Sequence, residues 1–104
     1  MTIPEIRALL VSVDPHIGMY DSEHREGEAY TRWEPVRRLE TISDDTHEEA
    51  WSFQVDRFTK DDEDGIADAL FEALDSDDRI GVEHLIDYEP DTGYIHHIFD
   101  CEAV

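Results

Sequence analysis

Across residues 41 to 104 the chain carries 20 acidic side chains against 3 basic ones, a charge of −17 over that stretch. An ionised carboxylate is costly to bury without a partner, so each helix or strand formed here must keep one face in water and pack with the other. That restricts the chain to amphipathic elements layered on one core. Residues 1 to 40 are closer to balance, with 8 acids and 5 arginines, so the acidic field belongs mainly to the C-terminal part. Apolar residues make up 39% of the 104 positions and aromatics 10%, enough to fill a core. The chain therefore reads as one folded domain spanning 1–104.

Thr2-Ile3-Pro4-Glu5 has the form of a capping box with proline in the first turn. Ile3, Ile6, Leu9, Leu10 and Val13 follow at helical spacing, which predicts a helix over 3–12. Asp14-Pro15 ends it, because the residue before proline avoids the helical region, and 15–28 reads as a loop. Residues 29–42 mix a three-residue apolar spacing with strand-favouring Tyr30, Thr31 and Trp33; an edge strand is expected, where Pro35 would break no ladder. Ser43 to His47 is a polar turn. Trp51, Phe53 and Val55 alternate with Ser52, Gln54 and Asp56, the period of a strand over 48–59 that forms a hairpin with the one before it.

Asp61-Asp62-Glu63-Asp64 suits the start of a helix over 62–75, since carboxylates are favoured at the positive dipole end. Its apolar stripe is Ile66, Ala69, Leu70, Ala73 and Leu74; the opposite stripe is Asp64, Asp68, Glu72 and Asp75. Two strands follow over 79–89 and 93–101, joined by Pro90-Asp91-Thr92-Gly93, with proline and glycine placed as a tight turn requires. That turn would set Glu89 against Tyr94, Asp87 against His96, Leu85 against Ile98 and Glu83 against Asp100. Val82, His84, Ile86, Tyr88, Ile95, His97, Phe99 and Cys101 then share the other face, expected to be core. The resulting expectation is an α+β domain of order helix-strand-strand-helix-strand-strand, with helices on one face of a largely antiparallel sheet.

The residues match no catalytic or metal motif. With Gly65 at the glycine position of a calcium loop, the first ligand would be Lys60 and the bidentate acid Phe71, which that loop does not use. His96 and His97 are neighbours on a strand and point to opposite faces, so they do not converge on one ion; Asp87 with His96 is a two-ligand set, too few for a site. No serine lies in a nucleophile-elbow pattern, and no glycine-rich phosphate loop is present. Cys101, the single cysteine, is expected to pack in the core rather than react. No enzyme activity, cofactor or metal is therefore expected. The lone cysteine fits a reducing cytoplasm, and no apolar run approaches the length of a membrane span.

The acidic field repels nucleic acid and anionic membranes and attracts basic proteins. Helix neighbours four apart and strand neighbours two apart place carboxylates roughly 5–7 Å from one another, a separation like that of phosphates along a nucleic-acid strand. The stripe Asp64, Asp68, Glu72 and Asp75 and the strand set Glu83, Asp87, Glu89 and Asp100 both meet this spacing and are the candidate partner-binding residues. A basic nucleic-acid-binding protein is the expected partner. Salt adaptation is the alternative, since halophilic surfaces are acidic and poor in lysine and Lys60 is the only lysine here; nine isoleucines and the large aromatics argue against it. A small enzyme or metal protein is a third reading.

In size, charge and lack of a catalytic motif, the chain from about Asp44 to Glu102 resembles the DNA-mimicking inhibitors of bacterial defence, anti-CRISPR proteins in particular. The resemblance is one of composition. It implies a protein of phage or mobile-element origin, acting in the bacterial cytoplasm by occupying the DNA channel of a Cas effector subunit.

Overall fold

The computed structural model describes residues 1–39 and 49–104; the polar turn expected at 43–47 lies outside them. Two helices, α1 (Ile3–Val13) and α2 (Gly65–Asp75), pack with five strands, β1 (Gly18–Met19), β2 (Tyr30–Leu39), β3 (Ala50–Thr59), β4 (Ile80–Glu89) and β5 (Tyr94–Ala103). The class is α+β, as the alternating periods imply. The order differs from expectation through β1, a two-residue strand inside the stretch read as a loop. It pairs parallel to β2 through Gly18–Arg32 and Met19–Trp33, so the sheet is mixed although its other pairings are antiparallel. Nothing in a two-residue strand leaves a period to read. Gly18 is required there because a Cβ would lie 1.7 Å from the Asp21 carbonyl oxygen.

The strand order is β1-β2-β3-β5-β4. Thus β3 and β4, which α2 connects, lie on either side of β5, and β4 forms one edge. The β2–β3 ladder shifts register between Pro35 and Arg37, a bulge at the position where proline removes a donor. The β4–β5 register is the one the turn dictates, with Glu89–Tyr94, Asp87–His96, Leu85–Ile98 and Glu83–Asp100 paired. Gly93 takes φ 77° in that turn and donates its N–H to the Glu89 carbonyl at 2.8 Å.

Each helix is capped at its start by a side chain. Thr2 accepts from the Glu5 N–H while Glu5 accepts from the Thr2 N–H, and the Asp64 side chain accepts from the Ala67 N–H. Helix α2 starts at Gly65, three residues later than expected. In the segment ahead of it, the Glu63 N–H donates to Asp61 Oδ1 in a turn that competes with helix.

Ile6 and Leu10 of α1 and Leu70 and Leu74 of α2 join one core with Trp33, Phe53, Val55, Ile80, Phe99, Cys101 and Ala103, strand residues that alternation and register place on the same sheet face. The helices roof only part of that face. An eleven-residue helix is about 16 Å long, whereas a ten-residue strand reaches about 33 Å. Of the face expected to be core, Phe99 and Cys101 are buried and Val82, His84, Ile95 and His97 half-buried. Ile86 and Tyr88 are 63% and 60% exposed. The expectation that these two belong to the core is corrected: they lie past the reach of α2.

Candidate functional site

The eight cations are distributed unevenly with respect to the acids. Arg57 on β3 is buried. It donates from Nε and Nη2 to the two carboxylate oxygens of Asp64 at 2.7 and 3.2 Å and from Nη1 to Thr31 Oγ1 at 3.2 Å; Asp14 lies 3.8 Å from Nη1. Burial by itself would raise the Asp64 pKa. The Arg57 hydrogen bonds and charge, with the N–H groups of Ala67 and Ile66, hold it below the ordinary value. Asp64, assigned by spacing to the exposed acidic stripe, is therefore both the cap of α2 and half of an ion pair. Sequence spacing alone could not show this, because Arg57 is on another element.

Asp56, also buried, accepts from Gln54 at 2.8 Å, meets His96 Nε2 at 2.7 Å and lies 3.8 Å from Arg32. His96 thus faces Asp56 across β3–β5 rather than Asp87, its partner across β4–β5. Arg79 is shared between Asp77 and Glu5. Arg32, Arg38 and Lys60 lie over the rings of Phe58, Trp51 and Tyr94 at 5.1, 4.8 and 5.2 Å.

The other seven candidate residues, Asp68, Glu72, Asp75, Glu83, Asp87, Glu89 and Asp100, enter no ion pair among the described residues. All are exposed except Glu89, which is intermediate and accepts from Thr92 Oγ1. They form two rows, not one surface. Asp68, Glu72 and Asp75 line the outer side of α2, which packs against β4 over the helix-covered face. Glu83, Asp87, Glu89 and Asp100 project from the opposite face of the sheet. Glu83 and Asp100 are direct cross-strand neighbours, a like-charge pair that costs stability. They border a shallow depression of about 410 Å³ lined also by Ser52, Gln54, Gly81 and Glu102. The β4 edge runs between the two rows.

His84 and His97 meet beneath α2, Nε2 to Nδ1 at 2.9 Å, with His84 stacked on Phe99 at 4.4 Å and tilted against Phe71 of α2 at 5.7 Å. Burial lowers the pKa of both; the charge of the His84 ring adds to this at His97, while Asp68 opposes it at both and Asp64 at His97. A lowered folded-state pKa means that the stabilising neutral form is fully populated above the unfolded value of about 6.5. Its contribution is lost as pH falls through the folded value. Acidification also reduces the net charge of −20 and so relieves self-repulsion. The His contribution is isolated by comparing wild type with His84→Gln/His97→Gln. In denaturant titrations between about pH 7 and 5, wild type loses stability relative to the variant as pH falls.

A second cavity, about 450 Å³, lies between the 14–24 segment and β2 and is lined by Asp14, His16, Ser22, His24, Tyr30 and Arg57 among others. Sequence reasoning did not single it out, since its residues are dispersed and share no motif. Several of its polar groups are engaged internally. His24 Nδ1 faces the Ser22 carbonyl at 2.7 Å, the donor arrangement, and Ser22 Oγ reaches the His16 carbonyl at 3.4 Å. His24, Tyr30, Phe58 and His96 stack in succession across the sheet at 3.6, 4.6 and 4.1 Å, covering sheet surface that no helix roofs.

Cys101 is buried and its thiol is pushed up to about 12, chiefly by desolvation, which keeps it protonated and poorly nucleophilic. No helix among the described residues is long and apolar enough to cross a membrane. No protein-family model matches the chain and no curated protein matches it.

Proposed function

We propose that the protein is a non-enzymatic inhibitor that imitates the charge of a nucleic acid and occupies the basic groove of a nucleic-acid-binding protein. Its most specific form is anti-CRISPR action on a Cas effector subunit in the bacterial cytoplasm. The observation that carries this reading is the pair of carboxylate rows flanking β4, left without cationic partners among the described residues although Arg32, Arg57 and Arg79 are each committed to acids elsewhere. Unneutralised like charges side by side weaken a fold, so a complementary cationic surface is their natural counterpart. The molecule is elongated, 49 × 22 × 22 Å, a length spanned by roughly 14 base pairs of duplex at about 3.4 Å per step.

The test is competition for a fluorescent duplex bound to a Cas effector subunit. Wild type displaces the duplex, less effectively as salt rises. Asp68→Lys/Glu72→Lys/Asp75→Lys, which spares the structural Asp64, is about 10²–10³-fold weaker, since like charges brought together across an interface cost several kcal/mol. Full potency in that variant with its circular dichroism unchanged would remove α2 from the binding surface, and full potency in Glu83→Lys/Asp87→Lys/Asp100→Lys as well would refute the proposal.

A further inference from the structure

The β4 edge is unusual in three respects that belong together. Among the described residues β4 pairs with β5 alone, so the outward edge of a ten-residue strand has no ladder partner, although the Tyr88 N–H donates to Asp87 Oδ1 at 2.9 Å. Exposed edges of this length are ordinarily shortened, bulged, covered or charged, because they template pairing with another chain; β4 uses only the last device, and on one face only. Here the edge is regular and carries Leu85, Ile86 and Tyr88 at 42%, 63% and 60% exposure. Its two faces are chemically different: Glu83, Asp87 and Glu89 occupy one, with Leu85 between the first two, and Val82, Ile86 and Tyr88 with His84 occupy the other.

We infer that the β4 edge accepts an extended basic peptide segment of the partner as a sixth strand, a mode that rests on the acidic-surface reading above. An added strand continues both faces of the sheet. Its residues on the acidic face lie beside Glu83, Asp87 and Glu89, where arginine or lysine is complementary. Its residues on the other face extend the patch of Ile86 and Tyr88, where apolar side chains bury surface that α2 leaves open. The alternation of β4 therefore specifies the alternation of its occupant, basic and apolar by turns. A second copy of this chain is disfavoured as that occupant, because joining two β4 edges brings two sets of these carboxylates together within one sheet.

The probes are a decapeptide of alternating arginine and valine and its block isomer, five arginines followed by five valines, equal in charge and composition. Two further versions of the alternating peptide are N-methylated at every arginine or at every valine. Every second residue of an added strand turns its N–H to the edge, so one methylated version loses binding and the other does not. Titrated against the full chain, the alternating peptide is expected to bind at least tenfold tighter than the block isomer. One methylated version should fall at least tenfold, and bound peptide should slow amide exchange within residues 80–89.

Equal binding by all four peptides, weakening together with salt, would overturn strand addition and leave the acidic-surface reading standing. Absence of binding by every peptide would overturn strand addition as well, and duplex competition decides the acidic-surface reading independently. A dimer in sedimentation with residues 80–89 protected before peptide is added would assign the edge to a second copy and overturn the inference.

Discussion

Replacing Arg57 by alanine lowers the stability of the fold by about 3–5 kcal/mol, the usual consequence of removing one partner from a buried ion pair. Arg57 serves Asp64, Asp14 and Thr31 at once. Its loss leaves two carboxylates close together, Asp14 buried and Asp64 half-buried, and weakens the seat of α2, because Asp64 also caps that helix. Lysine does not restore the arrangement, since a single ammonium cannot reproduce the two parallel bonds to one carboxylate. The effect depends on pH in a stated direction. Asp64 has a lowered folded-state pKa, so in wild type its contribution is present above the unfolded aspartate value of about 3.9 and is lost as pH falls through the folded value. The gap between wild type and Arg57→Ala is accordingly widest near neutral pH and narrows in acid, which urea titrations across that range measure. A gap that stayed constant down to about pH 2, below the unfolded aspartate range, would show that Arg57 acts by packing alone.

Arg57 also marks the limit of what the sequence discloses. The pieces specified locally are the ones that could be read: the capping box at Thr2–Glu5, the stripe Ile66, Leu70 and Leu74, and the turn Pro90–Gly93, which brings a register with it. Each is decided within a few residues by hydrogen bonds or periodicity. The pairing of β3 with β5 is decided instead by how α2 folds over the sheet, and no local pattern records it. Everything contingent on that pairing was therefore illegible, including the His96–Asp56 contact and the ring stack from His24 to His96. The same limit applies to the candidate surface. Helical spacing placed Asp64 with Asp68, Glu72 and Asp75, and the period is right; what separates Asp64 from the rest is an arginine seven residues earlier on a neighbouring strand. The division of the acids into two rows on opposite sides of β4 likewise follows from tertiary packing, although each row taken alone was visible as a period.

Phe99→Ala is expected to cost about 3–5 kcal/mol, a large share of the roughly 5–15 kcal/mol that holds a domain together. Phe99 is fully buried beneath the helices and stacks on His84, which in turn meets Phe71 of α2, so its removal opens a cavity where α2 is seated on β4 and β5. Ile86→Thr, on the same sheet face and one strand away, should stay within about ±0.5 kcal/mol, the range of surface substitutions away from special features. The periodicity of the sequence gives the two positions the same status, and only the length of α2 distinguishes them. Urea midpoints for the two variants at constant m-value test that distinction. If Ile86→Thr were as costly as Phe99→Ala, the far end of the hairpin would be part of the core and the β4 edge would have no apolar surface to offer a partner. A neutral Ile86→Thr beside a costly Phe99→Ala leaves the Ile86 side chain with no role in holding this chain together, as its 63% exposure implies, and so available to the strand addition proposed at the β4 edge.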